Sequence, residues 1–257
     1  MFSYFNYCDD YVGFDNNREY LPKDFDTFNS KNKLRQLFLN LSNNVLKSVC
    51  KFTKYEQKRL SSYTLKEAFK YKINTLLPIS CVRTHKDKRV FNFCINSTKI
   101  INHYTNCNTN HSTFVTSNTL LPAAKLISYC FINNNMQLLI DKHLLFHEFV
   151  LDKISKLHPT KDVVDLGDSI SLKEKGVCSV RIYTSWKNIN RKKPNIKEEL
   201  EDAIKCIKKG EFNQVYLAYP KDNGFTKHIP VYVDELKDGT YQIKAIPYSL
   251  RSAIRDN

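Results

Sequence analysis

Residues 178–219, CSVRIYTSWKNINRKKPNIKEELEDAIKCIKKGEFNQVYLAY, carry the pattern that decides the fold. The run from Cys178 to Trp186 alternates β-branched and aromatic residues with polar ones and reads as a strand. Ile196 to Lys208 follows as a helix, with Glu198, Glu199, Glu201 and Asp202 early and Lys205 and Lys208 late, matching the helix dipole at both ends. Gln214 to Tyr219 is strand-like again. A helix between two strands implies a crossover and at least one parallel pair, which makes this part α/β.

Working outward, Val163 to Leu166 reads as another strand, and Ile229 to Tyr248 as a hairpin turning at Asp238-Gly239, a dipeptide suited to a tight hairpin turn. Leu120 to Leu157 shows helical spacing interrupted by Asn133-Asn134-Asn135, so two helices are expected there, the second closed by Pro159.

The charge is unevenly placed. Residues 1–30 hold two basic and six acidic residues, whereas residues 31–99 hold sixteen and three, so that +13 of the formal net charge of +14 lies in this second stretch. Concentrated charge makes a surface potential where scattered charge does not. Within it, Leu34, Leu37, Phe38, Leu41, Val45, Leu46 and Val49 recur at helical spacing over residues 31–51. A short helix is expected around Tyr55 to Leu60. Thr64 and Glu67 form a capping box that opens a further helix with Leu65, Phe69, Ile73 and Leu76 apolar, ended by Pro78. Ile79 to Arg83 and Val90 to Ile95 then read as a β-hairpin with a charged tip, His85-Lys86-Asp87-Lys88. The predicted class is α+β or α/β, organised as an acidic segment (1–30), a basic helix-helix-hairpin module (31–99), a polar Asn/Thr/Ser/His-rich linker (100–118), and a helical pair leading into a mixed-sheet α/β domain (119–257).

Several function classes are excluded on composition. Only six glycines occur, none in a G-x-G-x-x-G or G-x-x-x-x-G-K pattern, which argues against nucleotide-cofactor chemistry. No apolar run approaches the ~18 residues of a membrane span, and the N-terminus carries Asp9, Asp10 and Asp15 where an export signal is basic and then apolar. A cytoplasmic or nuclear location is expected, with no secretion and no membrane partner. Eight cysteines without a C-x-x-C pair are expected as reduced, mostly buried thiols. The abundance of Asn, Lys, Ile and Tyr points to an AT-rich coding genome.

The order helix, short helix, turn, helix, hairpin resembles the winged helix-turn-helix family. The resemblance implies that the helix after the turn enters the major groove and the hairpin reaches the backbone or minor groove. Lys66, Lys70 and Lys72 would then lie on the recognition helix, and Arg83, Lys86, Lys88 and Arg89 on the wing. The C-terminal order resembles the restriction-endonuclease-like, or PD-(D/E)XK, nucleases over residues 140–250. There the resemblance implies Glu148 on a helix, Asp165 at a strand end and a lysine, nearest Lys187, around Mg²⁺. The acid-x-lysine triplet of that family is absent, since Ser179 or Arg181 stands where its acid is expected. This leaves carboxylates from elsewhere (Asp162, Asp168, Glu174), a non-catalytic relative, or a generic α/β layer.

Other constellations have plainer readings. Cys81, His85, Cys94, His103, Cys107 and His111 are metal-ligand types without a tight C-x-x-C anchor, and no metal site is assigned to them. His143 and His147 share a helix face but do not form H-E-x-x-H, because Glu148 follows the second histidine. Trp186 reads as a core anchor, and the loop Arg191, Lys192, Lys193 before the crossover helix as a phosphate contact. The expected function is an intracellular nucleic-acid-binding protein contacting phosphate mainly through residues 31–99, DNA favoured over RNA, with no cofactor assigned. The alternatives are a Mg²⁺-dependent nuclease and a non-catalytic structural or interaction protein.

Overall fold

The computed structural model describes residues 10–22, 28, 30–46, 50–78, 88–106, 120–174, 177–210, 212–236 and 241–254. The class is α+β, and the chain divides into two compact units. One comprises residues up to Leu21 and Ser30–Asp141, the other Pro22–Asn29 and Lys142 onward.

The first unit is mainly helical. Strands β1 (Tyr11–Phe14) and β2 (Glu19–Tyr20) precede α1 (Lys31–Leu46), α2 (Lys54–Leu60), α3 (Leu65–Leu76), α4 (Lys88–Asn106) and α5 (Pro122–Cys130). The short strands β3 (Phe131–Ile132), β4 (Asn135–Met136) and β5 (Leu138–Asp141) end it. Two successive capping boxes start α2 and α3. Thr53 Oγ1 accepts the Glu56 N–H while Glu56 accepts the Thr53 N–H, and Thr64 and Glu67 repeat the exchange. The apolar faces converge on Phe69, whose ring lies 5.3 Å from Phe14, 6.5 Å from Phe38 and 5.1 Å from Phe52, centroid to centroid. Glu19 of β2 pairs with Arg35 of α1 at 2.7 Å and accepts the Leu65 N–H at the start of α3, so one carboxylate joins three elements.

β1 runs antiparallel between β2 and β5, with Tyr11 opposite Asp141 and Gly13 opposite Leu139. The segment expected to be a plain acidic N-terminus therefore contributes strands. Sequence inspection could not see this, because the partner strand lies beyond all five of the helices between.

Three further expectations are corrected. The second hairpin strand, Val90 to Ile95, belongs to α4, as do residues 100–106 of the expected linker, while residues 79–87 and 107–119 lie outside the described residues. A short apolar run fits either period, and here the continuation decides: Ser97, Ile100 and His103 recur every third residue and are buried, which is helical packing. The break at Asn133-Asn134 is a β-hairpin joining β3 and β4, and both residues have positive φ (50° and 62°), the conformation a two-residue turn of this kind requires and Asn tolerates.

The second unit opens with α6 (Lys142–Leu157) and continues through β6 (Asp162–Asp165), β7 (Ser169–Glu174), β8 (Val177–Thr184), α7 (Lys197–Lys208), β9 (Gln214–Pro220), β10 (Ile229–Val231) and β11 (Gln242–Tyr248), then a short α8 (Arg251–Ile254). The six strands form one mixed sheet in the order β10-β11-β9-β8-β7-β6. β6, β7 and β8 form an antiparallel meander, and α7 crosses over to β9, which is parallel to β8, as the quoted stretch predicts. β7 was not anticipated, because its residues follow the Asp-Leu-Gly-Asp turn and include two buried serines, Ser169 and Ser171. β10 and β11 are antiparallel as expected, and β11 is also parallel to β9. The 238–239 turn lies outside the described residues.

The two faces of this sheet carry different helices. Tyr183 packs with the cluster of Cys206, Phe212, Val215 and Leu217 beneath α7, whereas Thr184, its neighbour, meets α6. On the α6 side the Phe146 ring stands edge-on to Trp186 at 6.0 Å, so the single tryptophan is a core anchor, 2% exposed. Among the described residues no helix is long and apolar enough to cross a membrane.

Candidate functional site

Two places concentrate chemistry, one in each unit. In the sheet unit, α6 aims His143 and His147 at the end of β8, the two being one helical turn and a fraction apart. His147 is buried, and both its ring nitrogens are engaged: Nδ1 lies 3.0 Å from Thr184 Oγ1 and Nε2 lies 3.1 Å from Asp165 Oδ1. Asp165 Oδ1 also accepts the Gly167 N–H at 2.8 Å, across a turn in which Gly167 holds φ +85°. His143 Nδ1 accepts the Trp186 N–H at 3.2 Å. Hydroxyl, imidazole and carboxylate stand in sequence, the order that a proton relay uses. The same bonds close α6 onto β6 and β8, with a half-exposed carboxylate at one end.

The three residues singled out for catalysis are not gathered around one point. Asp165 is joined to His147, Glu148 is half-buried on α6, and Lys187 forms an ion pair with Glu199 of α7 at 2.6 Å, above the Tyr219 ring. Burial, and next the Glu199 carboxylate beside it, holds the Tyr219 phenol firmly protonated. Arg181 stands opposite Ser171 on the sheet, bonds Asp168 at 3.3 Å and lies between the Tyr183 and Phe212 rings, 5.6 Å from each. Burial leads the causes that push the Tyr183 hydroxyl up to about 12. Of the other acids considered, Glu174 pairs with Lys161 at 3.0 Å and Asp162 is exposed opposite Lys173. Among the described residues no group of three or more His, Cys, Asp or Glu side chains is placed to hold a metal ion. His103 is buried against the Phe131 ring, while Cys81, His85, Cys107 and His111 lie outside the described residues.

In the helical unit the predicted phosphate contacts separate into scaffold and surface. Lys72, expected on a recognition helix, is 6% exposed and pairs with Glu56 at 2.8 Å. It sits three positions after Phe69 and seven after Leu65, on the buried side of α3, and is corrected to a structural residue. Lys66 reaches Asn16 at 3.0 Å, and Lys70 is exposed. Lys88 and Arg89 open α4 instead of a wing, and Arg83 and Lys86 lie outside the described residues. Arg191, Lys192 and Lys193 are exposed in the loop before α7, where the Lys192 N–H bonds Asn190 Oδ1 at 2.9 Å.

Sequence reasoning missed a group on α2, α3 and the turn between them. Tyr55, Tyr63 and Tyr71 are 71%, 53% and 39% exposed, and the Arg59 guanidinium lies 4.3 Å from the Tyr71 ring centroid and 5.7 Å from that of Tyr55. A cleft of about 360 Å³ opens beside them, lined by Arg59, Tyr63, Lys70, Tyr71 and Asn74 over Leu60. The signal was in the sequence, since Tyr55 and Arg59 are four apart on one helix and Lys70 and Tyr71 are adjacent on the next.

No family model matches the chain, and no curated protein matches it. Among solved structures it is similar to a chain of the refined half-complex from a tetradecameric assembly of Thermococcus gammatolerans McrB AAA+ hexamers with bound McrC. The TM-score is 0.68, at 11% sequence identity, over 96% of this chain and 80% of that one. At that identity the likeness is one of fold.

Proposed function

We propose that this chain binds nucleic acid through the cationic surface of its helical unit and does not cleave it. The observation that supports this is the +13 concentrated in residues 31–99, whose exposed members include Lys54, Lys58, Arg59 and Lys70. The excess is already net of Glu56 and Glu67, which keep their charge while they serve the helix caps. Polyanion binding is the ordinary consequence of such a field. An intracellular setting, cytoplasmic or nuclear, belongs to the same reading, and the free buried thiols Cys50, Cys130 and Cys206 suit it.

The winged-helix version of this reading loses two of its supports, the accessible Lys72 and the second wing strand. Affinity for an oligonucleotide should fall linearly with salt on logarithmic axes. If roughly six phosphates are neutralised, the loss is about a thousandfold between 50 and 200 mM salt. Binding that ignores salt, or no binding at 50 mM, would overturn the proposal.

The helix, meander, crossover helix and parallel strand of the second unit support a common architecture with restriction-endonuclease-like nucleases. Their Mg²⁺ does not fit the residues present. Asp165 accepts a histidine and a backbone N–H, Lys187 is held by Glu199, and a guanidinium stands by Asp168. Supplied Mg²⁺ or Mn²⁺ should therefore give no cleavage of single- or double-stranded substrate, and cleavage abolished by Asp165→Ala would restore the nuclease reading. The fold likeness to a chain of a McrB and McrC assembly favours a second reading, a non-catalytic subunit of a larger complex. A stable co-purifying protein together with no affinity for free nucleic acid would select it.

A further inference from the structure

We infer that the nucleic acid is single-stranded and that its bases stack in the cleft between α2 and α3. This rests on the nucleic-acid reading and adds the ligand class and the site. Three exposed tyrosines within seventeen residues need an account, since a tyrosine ring in water forgoes the burial that usually holds it. Here they are arranged: the Arg59 guanidinium bridges the rings of Tyr71 and Tyr55, while Tyr63 and Tyr71 stand in the wall of the cleft with Lys70 and Asn74. Flat rings at the wall and cations at the rim are what a single strand requires. Its bases present open faces for stacking and its phosphates seek lysine or arginine. A duplex hides those faces in its own stack, so it would use the lysines and leave the tyrosines idle.

Glu67 also borders the cleft, but its carboxylate is bound by the Thr64 N–H at 2.9 Å and the Thr64 hydroxyl at 2.8 Å, and these bonds hold its pKa below the usual carboxylate range. It is anchored to the cap. Asn74 offers a donor and an acceptor to a base edge, which would give a modest base preference. An aromatic cleft also suits a proline-rich peptide, but such a peptide gains nothing from the surrounding cations.

The test uses the full chain, a labelled twenty-nucleotide oligo-dT, a duplex of equal length and a proline-rich peptide, followed by fluorescence anisotropy. Tyr63→Ala and Tyr71→Ala should each weaken oligo-dT binding about tenfold and leave duplex binding unchanged, while Tyr63→Phe and Tyr71→Phe keep the wild-type affinity. Circular dichroism confirms folding, which the exposed positions should not disturb. Salt-dependent binding of both nucleic acids that is indifferent to the tyrosines overturns the stacking site and leaves the charge reading standing. Failure to bind either nucleic acid at low salt overturns both. Binding of the peptide alone assigns the cleft to a protein partner.

Discussion

Gly13→Ala should destabilise the helical unit by more than about 3 kcal/mol, the sum expected from a strained φ and an unavoidable overlap. Gly13 has φ +140°, and a Cβ built on it would lie 1.9 Å from the Leu138 carbonyl oxygen and 2.9 Å from its carbon. Both are main-chain atoms of the neighbouring strand, so no side-chain rotation relieves the contact, and β1 must part from β5. Gly167→Ala is the matched control. Gly167 also has positive φ, +85°, but nothing lies within 4 Å of its would-be Cβ, so only the backbone term of about 1 kcal/mol remains. Urea denaturation of the two variants separates close approach from conformation. A Gly13→Ala protein as stable as the wild type would mean that β1 does not pair with β5 in this register.

Lys72→Met should cost about 3 kcal/mol, because it leaves the Glu56 carboxylate without its cation in a largely buried place. Methionine keeps the aliphatic stem that packs beside the Phe52 ring, so the loss reports the charge. Burial pushes the Glu56 carboxyl up, but its bonds to Lys72 and to Thr53 outweigh this and hold it below its ordinary range. Its stabilising contribution is therefore present above the unfolded-state pKa and is lost as pH falls through the lower, folded-state value. Thermal melts of the wild type should fall with pH across that acidic window, and Lys72→Met should flatten the change. The same variant should bind oligonucleotide as tightly as the wild type, whereas Lys70→Ala should bind more weakly and melt unchanged.

Where the fold was legible, the signal was local. The Thr64/Glu67 box, the run of acids and lysines from Glu198 to Lys208, and the alternation of Gln214 to Tyr219 each contain their own instruction. Where it was not, the deciding partner was distant or the local period ambiguous. Val90 to Ile95 alternates well enough for a strand, and only the buried Ser97-Ile100-His103 series beyond it fixes a helix. The polar cluster was opaque for the first reason. His147 showed only a second histidine four residues away, while Asp165 and Thr184 come from two strands that a meander must first bring beside α6. Lys72 has the charge of a surface residue, but its spacing from Leu65 and Phe69 puts it on the buried face, and there position outweighs charge.

The antiparallel pairing of β1 with β5 also sets an order of events during synthesis. Tyr11 meets Asp141, so the earliest described strand, which has β2 beside it on one edge, lacks its partner on the other edge until every helix of its unit has been made. Helices α2 and α3 carry their start signals within a few residues, and Phe14 of β1 can pack on Phe69 once α3 is made, but the edge of β1 that β5 will cover waits unpaired. A ribosome stalled before residue 138 should carry helical structure sensitive to proteolysis around β1, and one stalled after the strand has cleared the exit tunnel should not. For this unit, completion of the chain segment and completion of the fold are the same moment.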